Sequence, residues 1–295
     1  MFLWASCFPL LAIGVDYSPH ITFAALRAVL AGVILIVFAF AQGKHLPRSP
    51  GVWFHLCLIG LGATSLGFLG MFHAAELVSP GIATVIANTQ PLFASVLAVF
   101  VLNVWLSARG IVAIVVCFLG VVMIALPKIY DGGGTGYVLG IGYIFLAAIG
   151  ISVSNVFIKK VSGRVDALMA MGLQMLIGSV PLIVGAWLTE DLSRIQWNYN
   201  FVLVLFALAL PGTALVYWLW CSVLERVQLN TANMFTFLVP FFGLGMGWLF
   251  FEETLSFIQA AGFGVTVIGI VLSTHSGAVV SATGTKGSKK ALPRG

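Results

Sequence analysis

Two asparagines carry the strongest chemical signal in this 295-residue chain. Asn88 and Asn233 each lie inside a long apolar run, and an amide brings two donors and an acceptor that one backbone carbonyl cannot satisfy. Thr84 and Ser95 share the run of Asn88 at near-helical spacing, and Thr236 accompanies Asn233. Polar groups at mid-depth of an apolar span are costly unless they meet protein or a water-filled cavity, so these positions point to hydrogen-bonding recognition of a small solute. Pro91 and Pro240 fall near the middle of the same two runs. A proline removes a backbone donor and frees a carbonyl, so both are read as hinges that bend a helix and offer backbone groups to a ligand. Ser65, Phe68 and Phe72 on one further run, and Tyr217 and Trp220 on another, add a hydroxyl and an aromatic surface. The structural alternative for each Ser, Thr or Asn is a bond to a backbone carbonyl or a neighbouring helix.

Catalytic chemistry lacks its parts. The chain has no HExxH, no GxSxG and no clustered acidic motif, so a membrane-embedded enzyme acting on lipid finds no nucleophile or metal constellation, and no cofactor is expected. Cys7, Cys57, Cys117 and Cys221 sit in apolar segments without metal-type spacing and read as small core hydrophobes. His73 is the only histidine deep enough to suggest proton handling, and its place near the end of a span also fits an interfacial residue. Arg27 is expected to anchor its helix by reaching outward to Asp16 or Glu76. No Asp or Glu stands at mid-depth, which leaves facilitated exchange open beside proton coupling. The small-residue spacings Gly136 to Gly140 and Gly243 to Gly247 suit close helix packing.

The elements that must position these residues follow from composition. The chain is 60% hydrophobic and 8% charged, with a mean hydropathy of +1.09, outside the range of water-soluble domains. A bilayer core about 30 Å thick takes roughly 20 apolar residues per helix. Ten spans are predicted, over 2–15, 20–41, 52–75, 79–102, 108–126, 136–158, 166–188, 199–223, 229–251 and 257–275. The net charge of +5 is spread through the connections rather than along one face, which argues against a nucleic-acid partner. Lys44, Arg48, Arg109, Lys159, Lys160, Arg164 and Arg226 fall on one side of the predicted topology, and Lys128 and Arg194 on the other. By the positive-inside rule both termini are cytoplasmic. Residues 276–295, rich in Gly, Ser, Ala and Lys, read as a disordered tail.

The chain also repeats itself. A shift of 149 residues aligns Leu61 with Leu210, Thr64 with Thr213, Glu76 with Glu225, Pro91 with Pro240 and Gly120 with Gly269. A shift of 147 aligns Leu26 and Arg27 with Leu173 and Gln174. A unit with an odd number of helices must enter the membrane from the opposite side in its second copy, so the repeat is expected to be inverted, as in carriers that alternate access around a midplane site. The same shift leaves the first span without counterparts for 136–147, from which an upstream natural start is expected.

These halves resemble the EamA domains of the drug/metabolite transporter superfamily. The resemblance rests on LWAS in the first span, FAALRAVLAG in the second, LVSPGIATVIANTQPLFASVLAVFVLN in the fourth and FLVPFFGLGMGWLFFEETLSFIQAAGFGVTVIGIVL at the end. The first half departs from the second in carrying Asn103 and Trp105 where the second has Glu252 and Thr254. The resemblance implies an all-α membrane protein of ten helices in two inverted repeats, 1–127 and 136–275, around a central cavity. It also implies a cavity bordered by spans one, three, four, six, eight and nine, which brings in Trp4, Phe8, Ser154 and Asn155. The function implied is transport of amino acids or similar small solutes, with export expected, in a bacterial inner membrane, the expected state being a monomer in the lipid bilayer. A nucleotide-sugar or phosphate-ester exchanger of the same superfamily is the alternative; it would want basic residues in the cavity, whereas Lys159 and Lys160 stand at the inner end of the sixth span.

Overall fold

The computed structural model describes residues 1–90, 92–94, 96–97, 104–106, 108–130, 134–226, 232, 236, 238–275 and 279–281. Pro91, Ser95, Asn233 and the tail from 282 onward lie outside the described residues.

The chain opens with α1 (Phe2–Ala5) and α2 (Cys7–Gly14), followed by α3 (His20–Ala41). A longer rod follows, built from α4 (Pro50–Ile59), the π-helical segment π1 (Gly60–Leu66) and α5 (Gly67–Ala75). After α6 (Pro80–Ala87) come α7 (Ala108–Tyr130), α8 (Gly134–Val161) and α9 (Ala167–Thr189). A second composite rod joins α10 (Tyr199–Ala209), π2 (Leu210–Leu215) and α11 (Val216–Arg226), and α12 (Leu238–Phe251) and α13 (Phe257–His275) close the bundle. Strands Val104–Leu106 and Val279–Ser281 pair antiparallel, Val104 opposite Ser281. The other secondary structure among the described residues is helical.

Local chemistry sets the helix ends. Pro50 and Pro80 occupy the first turns of α4 and α6, where a fixed φ helps and the missing N–H is no loss. Gly43 (φ 71°) and Gly163 (φ 75°) stop α3 and α8 in the left-handed conformation that glycine adopts without a Cβ clash. The fourth predicted span is interrupted at Asn88 and Thr89, where the helix ends in a turn (Asn88 φ −75°, ψ 4°). That break lies N-terminal to Pro91, as expected where a proline ring cannot accept the carbonyl of the preceding turn.

The packing is that of helices in lipid. Along α3, Ala24, Ala28 and Ala31 are fully buried while Val37 and Phe38 are about 60% exposed. Small side chains face neighbouring helices and large apolar ones face outward, the reverse of a water-soluble bundle. Among the described residues, five helices are long and apolar enough to cross a membrane, the two composite rods among them, and Phe2–Gly14, Ala108–Ile124, Leu238–Phe251 and Phe257–Leu272 are shorter apolar helices. The chain is therefore a multi-pass membrane protein.

α3 packs on α9 and α7 on α13. In the first pair an added Cβ on Gly32 or on Gly172 would lie 3.1 Å from the other's carbonyl oxygen; in the second, Gly120 and Gly262 approach in the same reciprocal way at 2.7 and 2.8 Å. Contacts at the ends fix the directions. Lys44 pairs with Asp166 at 3.0 Å at one end, and Glu190 meets the start of α3 at the other, so α3 and α9 run antiparallel. We call the end holding 15–20, 76–79, 189–198 and 252–256 the outer end.

Candidate functional site

A hollow runs through the middle of the bundle. Its upper lobe spans about 620 Å³ and its lower lobe about 430 Å³, each figure counting open space at the mouth. Trp4, Phe8, Met71 and Ile151, on α1, α2, α5 and α8, border both lobes, so the two adjoin across a shared wall. The upper lobe reaches from Pro80 near the outer end down to Phe68, Tyr217 and Arg27; the lower holds Thr84, Asn88, Gln90 and Thr236.

Of the residues singled out from sequence, Trp4, Phe8, Phe68, Thr84, Asn88, Tyr217 and Thr236 line this cavity. Asn88 Nδ2 donates to the Thr236 carbonyl at 3.0 Å, joining α6 to the segment before α12. Thr84 Oγ1 donates to the Gly81 carbonyl at 2.6 Å. Trp220 stands behind Trp4, ring centroids 5.6 Å apart, and its Nε1 donates to Asn155 Oδ1 at 3.0 Å. Asn155 Nδ2 and Ser154 Oγ are buried with no hydrogen-bond partner among the described residues. Ser65 faces away from the hollow, its hydroxyl donating to the Gly178 carbonyl at 2.7 Å. Phe72 is fully buried between Phe68 and Phe23 and supports the lining from behind. Pro240 is buried at the start of α12 and borders neither lobe.

Arg27 departs from its expected position. Instead of reaching outward to Asp16 or Glu76, it is 5% exposed and turned into the protein, lining the upper lobe. The outward route is occupied: His20 Nδ1 takes Glu76 Oε1 at 3.0 Å, and His20 Nε2 lies 3.0 Å from His73 Nε2. Arg27 Nε donates to Thr213 Oγ1 at 2.6 Å, and Nη2 donates to the Gly212 carbonyl at 3.4 Å. Its guanidinium carbon sits 4.6 Å from the centre of the Phe68 ring. Among the described residues no carboxylate lies within ion-pair distance of it.

The Thr213 contact has a mirror image. Thr64 Oγ1 donates to Gln174 Oε1 at 2.9 Å. Gln174 follows Arg27 by 147 residues and Thr213 follows Thr64 by 149, the two shifts that align the chain with itself. Both threonines lie in π-helical segments, whose extra residue per turn displaces a side chain from the regular helical face.

Two carboxylates close the outer end. Glu190 accepts from the Ile21 and Thr22 amides at 2.8 and 2.7 Å and from the Thr22 hydroxyl at 2.7 Å, capping α3, whose own cap residue is Pro19. Glu253 accepts from the Gly81 amide at 3.0 Å and the Ser79 hydroxyl at 3.1 Å, capping α6. In the outer connection, Asp191 accepts the Ser193 hydroxyl and amide, and these bonds hold its carboxyl below the ordinary range.

A lipid-facing helical bundle around a central hollow, lined from several helices, is the build of a membrane transporter. The chain belongs to the EamA-like transporter family, matching it over residues 1–126 and 138–275, and is thus a transporter of the drug/metabolite superfamily and not an enzyme. It is 30% identical to a chloroplast WAT1-related protein of Arabidopsis thaliana, over 84% of this chain and 61% of that protein, so it spans less than two thirds of that relative. It is 25% identical to the uncharacterized transporter YvbV of Bacillus subtilis, over 92% and 87% of the two chains. It is 31% identical to the protein PecM of Dickeya dadantii, over 81% and 77%. A crystal structure at 19% identity shares the fold, with a TM-score of 0.68 over 93% of each chain.

Proposed function

We propose that this transporter is a secondary carrier that exports small metabolites, amino acids or solutes of similar size, by alternating access. In this reading ten spans form two inverted five-helix repeats, 1–127 and 136–275, around the central cavity. The observation that carries it is the mirrored pair Arg27 to Thr213 and Gln174 to Thr64, in which each half's second span holds the other half's π-helical threonine. Reciprocal contacts of this kind follow from a twofold axis in the membrane plane, and such an axis lets two halves exchange shapes around a fixed site. The matching π-segments, Gly60–Leu66 and Leu210–Leu215, support the same axis. Lys44 and Lys159 at the end opposite Glu190 and Glu253 support cytoplasmic termini in a bacterial inner membrane.

Asn88 is the proposed polar contact for solute in the lower lobe, with Asn233 expected to serve beside it from its place in the sequence. The test is counterflow in vesicles reconstituted with the full chain, against a panel of amino acids, organic acids and cationic drugs. Asn88→Ala is expected to insert normally and to lose uptake by about tenfold or more, the scale of a lost buried hydrogen bond. Full uptake by Asn88→Ala removes that residue from the site; absence of counterflow for every solute sinks the carrier reading.

A further inference from the structure

Arg27 is the one charged residue lining the cavity among the described residues, and its surroundings leave the charge unanswered. It stands two turns into α3, about 10 Å from the outer end of that helix at 1.5 Å per residue. Burial of a guanidinium without a carboxylate is expensive, and a side chain that only ties two helices together has no need of the charge. The mirrored position makes this concrete. Gln174 accepts a hydrogen bond from Thr64 across the equivalent crossing and is fully buried, so a neutral amide suffices to tie a π-helical threonine there. The positive charge of Arg27 is surplus to packing.

The groups around that charge are the Thr213 hydroxyl, the Gly212 carbonyl, Cys7 Sγ at 3.6 Å from Nη2, and the ring faces of Phe68 and Phe72. None carries a negative charge, and a guanidinium has five N–H donors in a fork that fits a carboxylate. The rest of the upper lobe is apolar and aromatic, with Trp4, Phe8, Met71 and Tyr217 around it and no acidic side chain on its lining.

We infer that the solute is an amphipathic monocarboxylate, its carboxylate paired with Arg27 and its apolar body against Trp4, Phe8 and Met71. This inference rests on the central cavity being the solute site. It also narrows the proposed solute class. The ammonium of an amino acid finds no carboxylate on the lining, so organic acids without an amine are preferred over zwitterions of the same skeleton. A phosphate monoester brings a second negative charge that one guanidinium does not match.

The test compares compounds with one phenyl body: 3-phenylpropionate, its amide, phenylalanine, 2-phenylethylamine and phenyl phosphate, measured for binding to the purified full chain. Wild type is expected to bind 3-phenylpropionate roughly ten- to a hundredfold more tightly than the amide, the scale of a hydrogen bond to a charged group. Arg27→Gln, the residue found at the mirrored position, is expected to keep the fold and the weak amide binding and to lose the carboxylate preference; Arg27→Lys retains part of it. Equal binding of acid and amide by wild type overturns the inference without any variant. So does tighter binding of phenylalanine, the amine or the phosphate, or a preference that survives in Arg27→Gln. Counterflow in vesicles separates this inference from the carrier reading. Flux of neutral or cationic solutes without the carboxylate overturns the inference and leaves the carrier. Arg27-dependent carboxylate binding without counterflow of any solute does the reverse.

Discussion

Gly150→Val is expected to destabilise the folded protein strongly. A Cβ at Gly150 would lie 2.5 Å from the Gly62 carbonyl oxygen and 2.8 Å from Leu66 Cβ, and a Cβ at Gly62 would lie 2.5 Å from the Gly150 carbonyl oxygen. Each glycine therefore meets backbone on the facing helix, and neither backbone can rotate out of the way as a side chain could. The contact presses π1 against α8, while the opposite face of π1 is held by α9, where Ser65 donates to Gly178. A shift of π1 away from α8 would drive it into α9. Overpacking typically costs about 1–3 kcal/mol, and rigid walls on both sides put this site at or above the top of that range. A drop of about 10 °C in the melting midpoint in detergent, or loss of a monodisperse species on size exclusion, is expected. Gly142→Val, on the same helix with nothing within 4 Å of an added Cβ, is the control and should melt like wild type. Equal melting of the two variants would show that the Gly62 to Gly150 approach does not determine the packing.

Most helix bounds were legible because lipid imposes one requirement, an apolar run long enough to satisfy its backbone internally. The predicted 20–41 and 257–275 coincide with α3 and α13, and 166–188 differs from α9 by one residue at each end. Three features were not legible, each for a physical reason. The π-segments leave hydropathy unchanged, since an i→i+5 bond alters register and not composition; Gly60, Gly62 and Pro211 were the visible signs. Cavity lining by Met71 and Ile151 was missed because an apolar residue facing a hollow looks in sequence like one facing a helix. Arg27 was read by its distance from the outer surface, which says nothing about azimuth. It shares its face with the fully buried Ala24 and Ala31, and that alignment with the small residues was the signal for an inward position. Ser65, Ser154 and Asn155 illustrate the opposite case, polar residues on cavity-lining helices that do not line the cavity.

Neutralising Glu190 and Glu253 together should open the outer end. Helix α3, capped by Pro19, and helix α6, capped by Ser79, have no side-chain cap of their own, so their first amides depend on carboxylates supplied from distant segments. Glu190 provides three hydrogen bonds to α3 with its side chain 8% exposed, and Glu253 provides two to α6 and its preceding serine. The backbone supports the second clasp: Glu252 turns at φ 52° and the Glu253 amide donates back to the Gly247 carbonyl at 3.2 Å, which ends α12 and aims the carboxylate at Gly81. A carboxylate on a helix N-terminus contributes about 1–2 kcal/mol through its hydrogen bonds and the helix dipole. Loss of one shifts a closed-to-open equilibrium by roughly tenfold and loss of both by roughly a hundredfold, provided the two act independently. The readout is labelling of Ala75→Cys, on the upper lobe, by an impermeant maleimide applied from outside, with the four native cysteines replaced by serine. Glu190→Ala and Glu253→Ala should each raise the labelling rate about tenfold and the double variant about a hundredfold. Both clasps join residues below 90 to residues above 185, so their opening separates segments that the carrier reading assigns to different halves. An unchanged labelling rate in the double variant would mean that the outer end is closed by packing alone, and that the carboxylates serve only to cap helices.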